Sequence, residues 1–245
     1  MKKLIFRNGL LLGSLAVLFQ SLTVLAQMPG AGMNAAMVKL FGDNMAFTAR
    51  CDVQVMNSNR QVWLQMPTAL AAADTKMRID VDLGLLRSAA VPQTMAAYYK
   101  RIGMDKVTSV TRPDKKALYI IYPGAQSYVV MPLTAEDSQA QKLERKPLGK
   151  GTIDGHACVK NLSVVKNAKG TPLLQAVTWN ATDLKDFPIQ IETNENGNIT
   201  VMHFQQVNLV KPDPRLFDPP AGYKQYSNPS DLEAAANKKA GGAKK

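Results

Sequence analysis

Apolar and polar residues alternate along most of the chain, with the period of two that is typical of half-buried β-strands. In the run Phe47–Val55, the odd-numbered positions are apolar or small and the even-numbered positions are polar. Other runs with strand character predict strands at Gln61–Met66, Met77–Leu83, Lys106–Thr111, Ala117–Tyr122, Gln126–Met131, Gly151–Val165, Leu173–Asn180, Ile189–Thr193 and Ile199–Val207.

The alternation breaks at residues 92–102, where the spacing becomes helical. Pro92 is compatible with the first turn of a helix, and Gly103 ends the pattern. Between them, Met95, Tyr98 and Tyr99 fall on one side, which predicts an amphipathic helix packed on the sheet.

Three further segments lack strand character. Residues 27–44 contain a short helical pattern, and residues 135–142 predict a short exposed helix. From residue 227 the chain is small, polar and basic, which predicts a disordered tail over residues 227–245.

Together these patterns predict a mainly β domain over residues 45–226. Its architecture is expected to be a curved antiparallel half-barrel sheet of about 8–11 strands, with one face apolar and the other solvated. One or two helices are expected to pack in the concave face, because an apolar sheet face must be covered.

Residues 1–26 have the features of a cleavable signal peptide. Lys2, Lys3 and Arg7 precede an interrupted apolar stretch, and small residues at Val24 and Ala26 bound the expected cleavage site. The sequence therefore predicts a periplasmic or secreted protein, processed near Ala26. A membrane anchor is the alternative, although the apolar stretch is short for a span.

Charge adds a weaker indication of partners. The formal net charge is +11, and it falls to about +8 if the three basic residues of the signal peptide are removed. A basic protein suits an anionic membrane surface, but it equally suits no special partner. Few aromatic residues are interleaved with the basic ones, which argues against nucleic-acid binding.

The chain has two cysteines and two histidines. In an oxidising compartment, Cys51 and Cys158 are expected to form a disulfide. The alternatives are two buried thiols, or a metal or redox site formed by both cysteines with His156 and His203. The spacing matches no common zinc motif, and neither a metal nor a cofactor is predicted.

No catalytic set is evident, and no enzymatic activity is predicted. The sequence lacks a G-x-S-x-G motif. Asp80 and Asp82 share one strand face with Lys76 and Arg78, which indicates a charged outer surface.

Several longer motifs resemble an uncharacterised family of exported bacterial proteins. They are Gly151–Lys160 (GTIDGHACVK), Arg112-Pro113-Asp114 with Tyr119–Pro123, Val177–Glu192, and Phe217–Tyr223. That family is similar to the LolA/LolB-type lipoprotein-carrier superfamily. The resemblance implies a curved half-barrel whose concave face holds acyl chains.

The favoured hypothesis is therefore non-catalytic binding of a lipid, lipoprotein acyl chain or other apolar ligand in the half-barrel lumen. The alternatives are a filled-core structural or interaction domain in envelope assembly, and the Cys/His metal or redox protein. The residues expected to line the lumen are Val53, Val55, Leu64, Met66, Ile79, Val81, Met95, Tyr98 and Tyr99.

Overall fold

A single open, curved sheet dominates the computed structural model, which describes residues 35–88, 91–133 and 141–242. Within those residues the sheet has 13 strands, in the order β13-β7-β6-β5-β3-β2-β1-β12-β11-β10-β9-β8, with β4 paired to β2. The strands are β1 Ala46–Met56, β2 Val62–Ala73, β3 Lys76–Asp82, β4 Arg87–Ser88, β5 Lys106–Arg112, β6 Ala117–Tyr122, β7 Ser127–Pro132, β8 Gln141–Ile153, β9 His156–Asn167, β10 Pro172–Ala181, β11 Phe187–Glu195, β12 Asn198–Asn208 and β13 Lys224–Tyr226.

The predicted fold class is confirmed: the sheet is mainly antiparallel and does not close into a barrel. Among the described strands, only β13 runs parallel to its neighbour, β7. The number of strands exceeds the predicted 8–11, partly because the run Gly151–Val165 is two strands rather than one. A turn at Asp154 and Gly155, both with positive φ, divides it into β8 and β9.

Strand β8 also replaces part of a predicted helix. Lys142, the end of the helix expected over residues 135–142, lies in β8, whereas residues 134–140 are outside the described residues. Strand β2 extends well beyond the predicted end at Met66. The strand pattern is weak there, because Pro67 and the alanines that follow have low β-propensity.

Register places the odd-numbered residues of β1 on the face that the helices cover, here called the inner face. Val53 is paired with Met66 on β2 and Met202 on β12, so all three point the same way. The neighbouring residues, such as Asp52, point to the outer face.

Three α-helices are described. They are α1 Ala35–Lys39, α2 Gln93–Arg101 and α3 Pro229–Gly242. The short N-terminal helix and the helix predicted over 92–102 are therefore both present. No helix among the described residues is long and apolar enough to cross a membrane. The predicted signal peptide lies outside the described residues.

The disordered tail predicted from residue 227 is wrong over α3. Asn228 caps this helix by accepting a hydrogen bond from the Asp231 backbone N–H at 2.9 Å, and Pro229 occupies the first turn. Leu232 and Ala236, four residues apart, are buried against the sheet. Both the capping residue and this spacing could be recognised in the sequence. The abundance of alanine and lysine in this segment nevertheless led to the prediction of disorder.

The outer face is less polar than predicted. Over β5 and β6 it carries the buried residues Val110 and Ile121, which pack with Phe217. Phe217 belongs to residues 209–223, called the outer strap, which cross this face and include a short 3₁₀ helix at Pro214–Phe217. The chain therefore covers both faces of its sheet with its own segments.

Two arginines of the sheet fasten the outer strap. Arg78 donates a hydrogen bond to the Leu216 carbonyl at 2.9 Å, and Arg112 donates one to the Phe217 carbonyl at 3.0 Å. The Arg112 guanidinium also pairs with Asp114 at 2.7 Å and Asp218 at 2.6 Å. These two carboxylates raise the pKa of Arg112, and Arg112 lowers the pKa of Asp114 to about 2.

We expect Arg112→Gln to lower the free energy of unfolding by about 2–3 kcal/mol, because charge-assisted hydrogen bonds to the strap are lost. Arg215→Gln is the matched control. Its side chain is 89% exposed and pairs only with Asp213 within the described residues, so the expected loss is much smaller than that of Arg112→Gln. Guanidinium unfolding measures both, and equal losses would show that Arg112 does not anchor the strap.

Candidate functional site

The inner face carries the largest apolar cluster of the described residues. Its members come from β1, β2, β3, β9, β10, β11 and β12, and from α1 with the turn that follows it. Four phenylalanines form its centre, with ring centroids 5.0–5.7 Å apart in the contacting pairs. These are Phe41, Phe47, Phe187 and Phe204, all fully buried. This first cluster is densely packed by the chain itself.

A second cluster lies beside the first on the same face. It contains Tyr99 and Ile102 from the α2 region, Tyr122 and Val129 from β6 and β7, and Leu232 from α3. Val81 on β3 packs against both clusters, so the two form one continuous apolar surface.

The residues predicted to line a lumen divide between these clusters. Five of them are 1–4% exposed and belong to the first cluster: Val53, Val55, Leu64, Met66 and Ile79. Met95, Tyr98 and Tyr99 lie in the second cluster, and Val81 joins the two. All nine therefore lie on the inner apolar surface, although ligand contact by any of them stays a prediction.

Tyr98 connects the two helices that cover the second cluster. Its hydroxyl donates a hydrogen bond to Glu233 at 2.8 Å and accepts one from the Asn237 amide, and both partners lie on α3. Arg101 stacks over the Tyr98 ring, 5.3 Å from its centroid. The sequence placed Tyr98 among the predicted lumen-lining residues but missed its partners, because α3 was predicted to be disordered.

The tyrosines under α3 are held in their neutral form. Burial raises the pKa of Tyr99 and of Tyr122 to about 12, and the Glu233 carboxylate adds to both shifts. Burial also raises the pKa of Tyr98. At neutral pH this end of the inner face therefore carries phenol groups and no phenolate.

The inner face becomes polar towards β9 and β10. Ser163 and Thr178 hydroxyls are 2.8 Å apart, and the Thr178 hydroxyl donates to Asn180 Oδ1 at 2.7 Å. Asn161 also donates to Asn180, at 2.9 Å. These buried groups satisfy one another, so this end of the face is a structural network rather than an apolar binding surface.

Two cavities open beside the covering helices. One, of about 710 Å³, adjoins the end of α1 and β8, and its wall mixes cations such as Arg145 and Lys185 with Asp43 and Asp186. The other, of about 340 Å³, lies between α2 and α3, with a floor of Ile102, Leu232 and Ala236.

The predicted disulfide is not formed, and both cysteines are free thiols. Cys51 is on β1 and Cys158 is on β9, with β12, β11 and β10 between them. Four inter-strand steps separate the two strands by roughly 19 Å along the sheet, far beyond the roughly 7 Å limit between disulfide-bonded Cα atoms. The two cysteine positions alone gave no indication of this strand order.

The two cysteines and two histidines of the alternative metal or redox site do not lie together either. His203 pairs in register with Asp52, so it lies on the outer face, whereas Cys51 points to the inner face. Each histidine lies beside an aspartate instead: His156 Nδ1 is 2.7 Å from Asp183, and His203 Nε2 is 2.8 Å from Asp154. Among the described residues, no group of three or more potential ligands could hold a metal ion.

The predicted charged outer face of β3 agrees with the ion pair that Arg78 and Asp80 form at 2.7 Å. Asp82 instead accepts a hydrogen bond from the Gly84 backbone N–H at 2.9 Å. Both carboxylates are therefore occupied by structural partners.

Thiol titration tests the free cysteines. We expect two reactive thiols per chain after denaturation without reductant, and almost none in the native protein. Burial raises the pKa of Cys51 to about 12 and also raises that of Cys158, so neither is a thiolate at neutral pH. A count of zero after denaturation would show that the disulfide does form.

We expect Tyr98→Phe to loosen α3. Losing two hydrogen bonds of about 0.5–1.5 kcal/mol each should speed trypsin cleavage at Lys238 and Lys239 by about 5- to 150-fold. Tyr119→Phe, which alters a tyrosine on the outer face, is the control and should leave the cleavage rate unchanged. Equal rates in the two variants would show that Tyr98 does not hold α3.

No protein-family model and no curated protein matches the chain. Similar solved structures include a LolA superfamily protein from Nitrosomonas europaea, at 7% identity and a TM-score of 0.38, covering 76% of this chain and 98% of that one. Lipoprotein LppX from Mycobacterium tuberculosis has 10% identity and a TM-score of 0.37, over 71% and 94%. A DUF1329 family protein from Desulfovibrio piger has 10% identity and a TM-score of 0.31, over 71% and 89%.

Proposed function

We propose that this protein binds a lipid or another apolar ligand non-covalently on the inner face of its sheet, and that it does so without catalysis. One observation carries the proposal. The continuous apolar surface of a large open sheet is covered by separate short helices, rather than by a second sheet. Such covers can move one at a time while the sheet stays intact.

Helix α3 is the cover that we expect to move. Its buried residues are Leu232 and Ala236, and its side-chain hydrogen bonds to α2 involve Tyr98 and Arg101. Exposing a leucine costs about 2 kcal/mol, and the Tyr98 bonds are worth about 1–3 kcal/mol together. An acyl chain that buries ten methylenes supplies about 8 kcal/mol, which exceeds this cost.

Export is part of the same proposal. The basic, apolar and small-residue segments of residues 1–26 support cleavage near Ala26 and a periplasmic or secreted location. In that setting, lipids and lipoprotein acyl chains are the candidate ligands, and an anionic membrane surface is a candidate docking site for the basic protein.

A filled-core structural or interaction domain is the second candidate function. The observation in its favour is the phenylalanine centre of the first cluster, which is fully packed by the chain's own side chains. Under this alternative no helix would move, and function would lie on the outer surfaces.

Palmitoyl lysophosphatidylcholine, used below its micelle concentration, tests the proposal by calorimetry. We expect 1:1 binding with a negative heat-capacity change, because apolar surface is buried. Leu232→Ala should weaken the docking of α3 by about 2–3 kcal/mol and so tighten apparent binding by about tenfold or more, since less of the energy is spent on opening.

Phe217→Ala is the matched control, because it removes a fully buried anchor from the outer strap instead. It should reduce stability and leave the dissociation constant unchanged. Absence of lysolipid binding, together with no co-purified lipid in native mass spectra of the exported protein, would favour the filled-core domain.

A further inference from the structure

The cavity between α2 and α3 has a distinct charge pattern. The charged side chains in its wall are Lys100, Arg101 and Lys239, and no carboxylate of the described residues lines it. The cavity beside α1 differs, because Asp43 and Asp186 offset part of its positive charge. The α2–α3 cavity is therefore the one whose charged wall is entirely cationic.

The three cations lack acidic partners. Within the described residues, no carboxylate lies within 4.0 Å of Lys100, Arg101 or Lys239. Arg101 contacts neutral groups, with Asn237 Oδ1 at 3.5 Å and the Tyr98 ring below it. The positive charges of Lys100, Arg101 and Lys239 are thus available to a ligand.

The floor of the same cavity is apolar. Ile102, Leu232 and Ala236 are at most 9% exposed and belong to the second cluster of the inner face. An acyl chain that entered between α2 and α3 would contact Ile102 of this floor, and it would reach the rest of the second cluster when Leu232 and Ala236 are displaced with α3. Its polar end would then lie among the three cations.

We propose that the α2–α3 cavity holds the anionic headgroup, a phosphate or a carboxylate, of an amphiphile whose chain lies on the inner face. This inference rests on the proposed function and narrows its ligand to anionic lipids. Arg101 and Lys239 would pair with the anion from the two helices, so an anionic lipid would bridge α2 and α3 after opening them.

Two lysolipids with the same palmitoyl chain and the same phosphodiester test the net charge of the headgroup, because choline cancels the phosphate charge in one and glycerol leaves it uncancelled in the other. We expect lysophosphatidylglycerol to bind at least about fivefold more tightly than lysophosphatidylcholine, since each cation near an anionic lipid is worth about 1 kcal/mol. Arg101→Gln and Lys239→Gln should each weaken lysophosphatidylglycerol binding by about fivefold and leave lysophosphatidylcholine within about twofold. High salt should reduce the preference.

Lys185→Gln is the matched control, because it removes one positive charge from the wall of the other cavity. It should change neither affinity. Lys239 is exposed, so Lys239→Gln should fold normally even if Arg101→Gln disturbs the contact with Tyr98. Circular dichroism and thermal unfolding verify the fold of each variant.

The possible failures are distinguishable. Equal binding of both lysolipids, unaffected by the variants, would overturn the headgroup site while the proposed function stands. Binding of neither lysolipid would overturn both. A preference abolished by Lys185→Gln alone would place the anion in the other cavity and overturn the assignment. Glycerol phosphate binding as tightly as lysophosphatidylglycerol would indicate a free-anion site and would also overturn it.

Discussion

The fold depends on covering apolar surface on both faces of one open sheet. Alternation along the strands sends apolar side chains to the inner face, and over β5 and β6 also to the outer face. Since no second sheet is present among the described residues, segments of the same chain must exclude water from each face. The helices serve the inner face and the outer strap serves the outer one.

The two covers are attached by different physical means. The outer strap is held through Arg112, whose side chain is 8% exposed and satisfies two carboxylates and a carbonyl at once. Helix α3 is held by two buried apolar side chains and partly exposed hydrogen bonds. Under the proposed function, this asymmetry keeps the outer cover in place and makes the inner cover the one that moves.

The local pattern of apolar and polar residues was sufficient to predict the elements that depend on local sequence. The period of two located most strands, and the helical spacing around Tyr98 located α2. It failed where the outcome depends on strand order or on a weak local signal. The separation of Cys51 from Cys158 is a property of the whole sheet, and the Asp154-Gly155 turn was hidden within a run that otherwise resembles one strand.

The motifs that carry the family resemblance have structural roles. Arg112-Pro113-Asp114 and Phe217–Tyr223 meet at the anchor of the outer strap, and Gly151–Lys160 forms the β8–β9 hairpin. Gly151 lies so close to the Trp179 ring that an added Cβ would be 2.9 Å from it. These motifs could therefore indicate the architecture, whereas the inner cover at α3 depended on capping and packing outside them.

Hydrogen–deuterium exchange of the full chain, with and without palmitoyl lysophosphatidylcholine, tests most directly whether the inner cover moves. A helix of 14 residues is marginally stable in water once it leaves its packing surface. If α3 moves to admit the lipid, exchange across α3 should be faster in the lipid-bound protein, with unchanged protection in β5 and the outer strap. Bound lipid with unchanged exchange in α3, or with faster exchange in the outer strap instead, would contradict it.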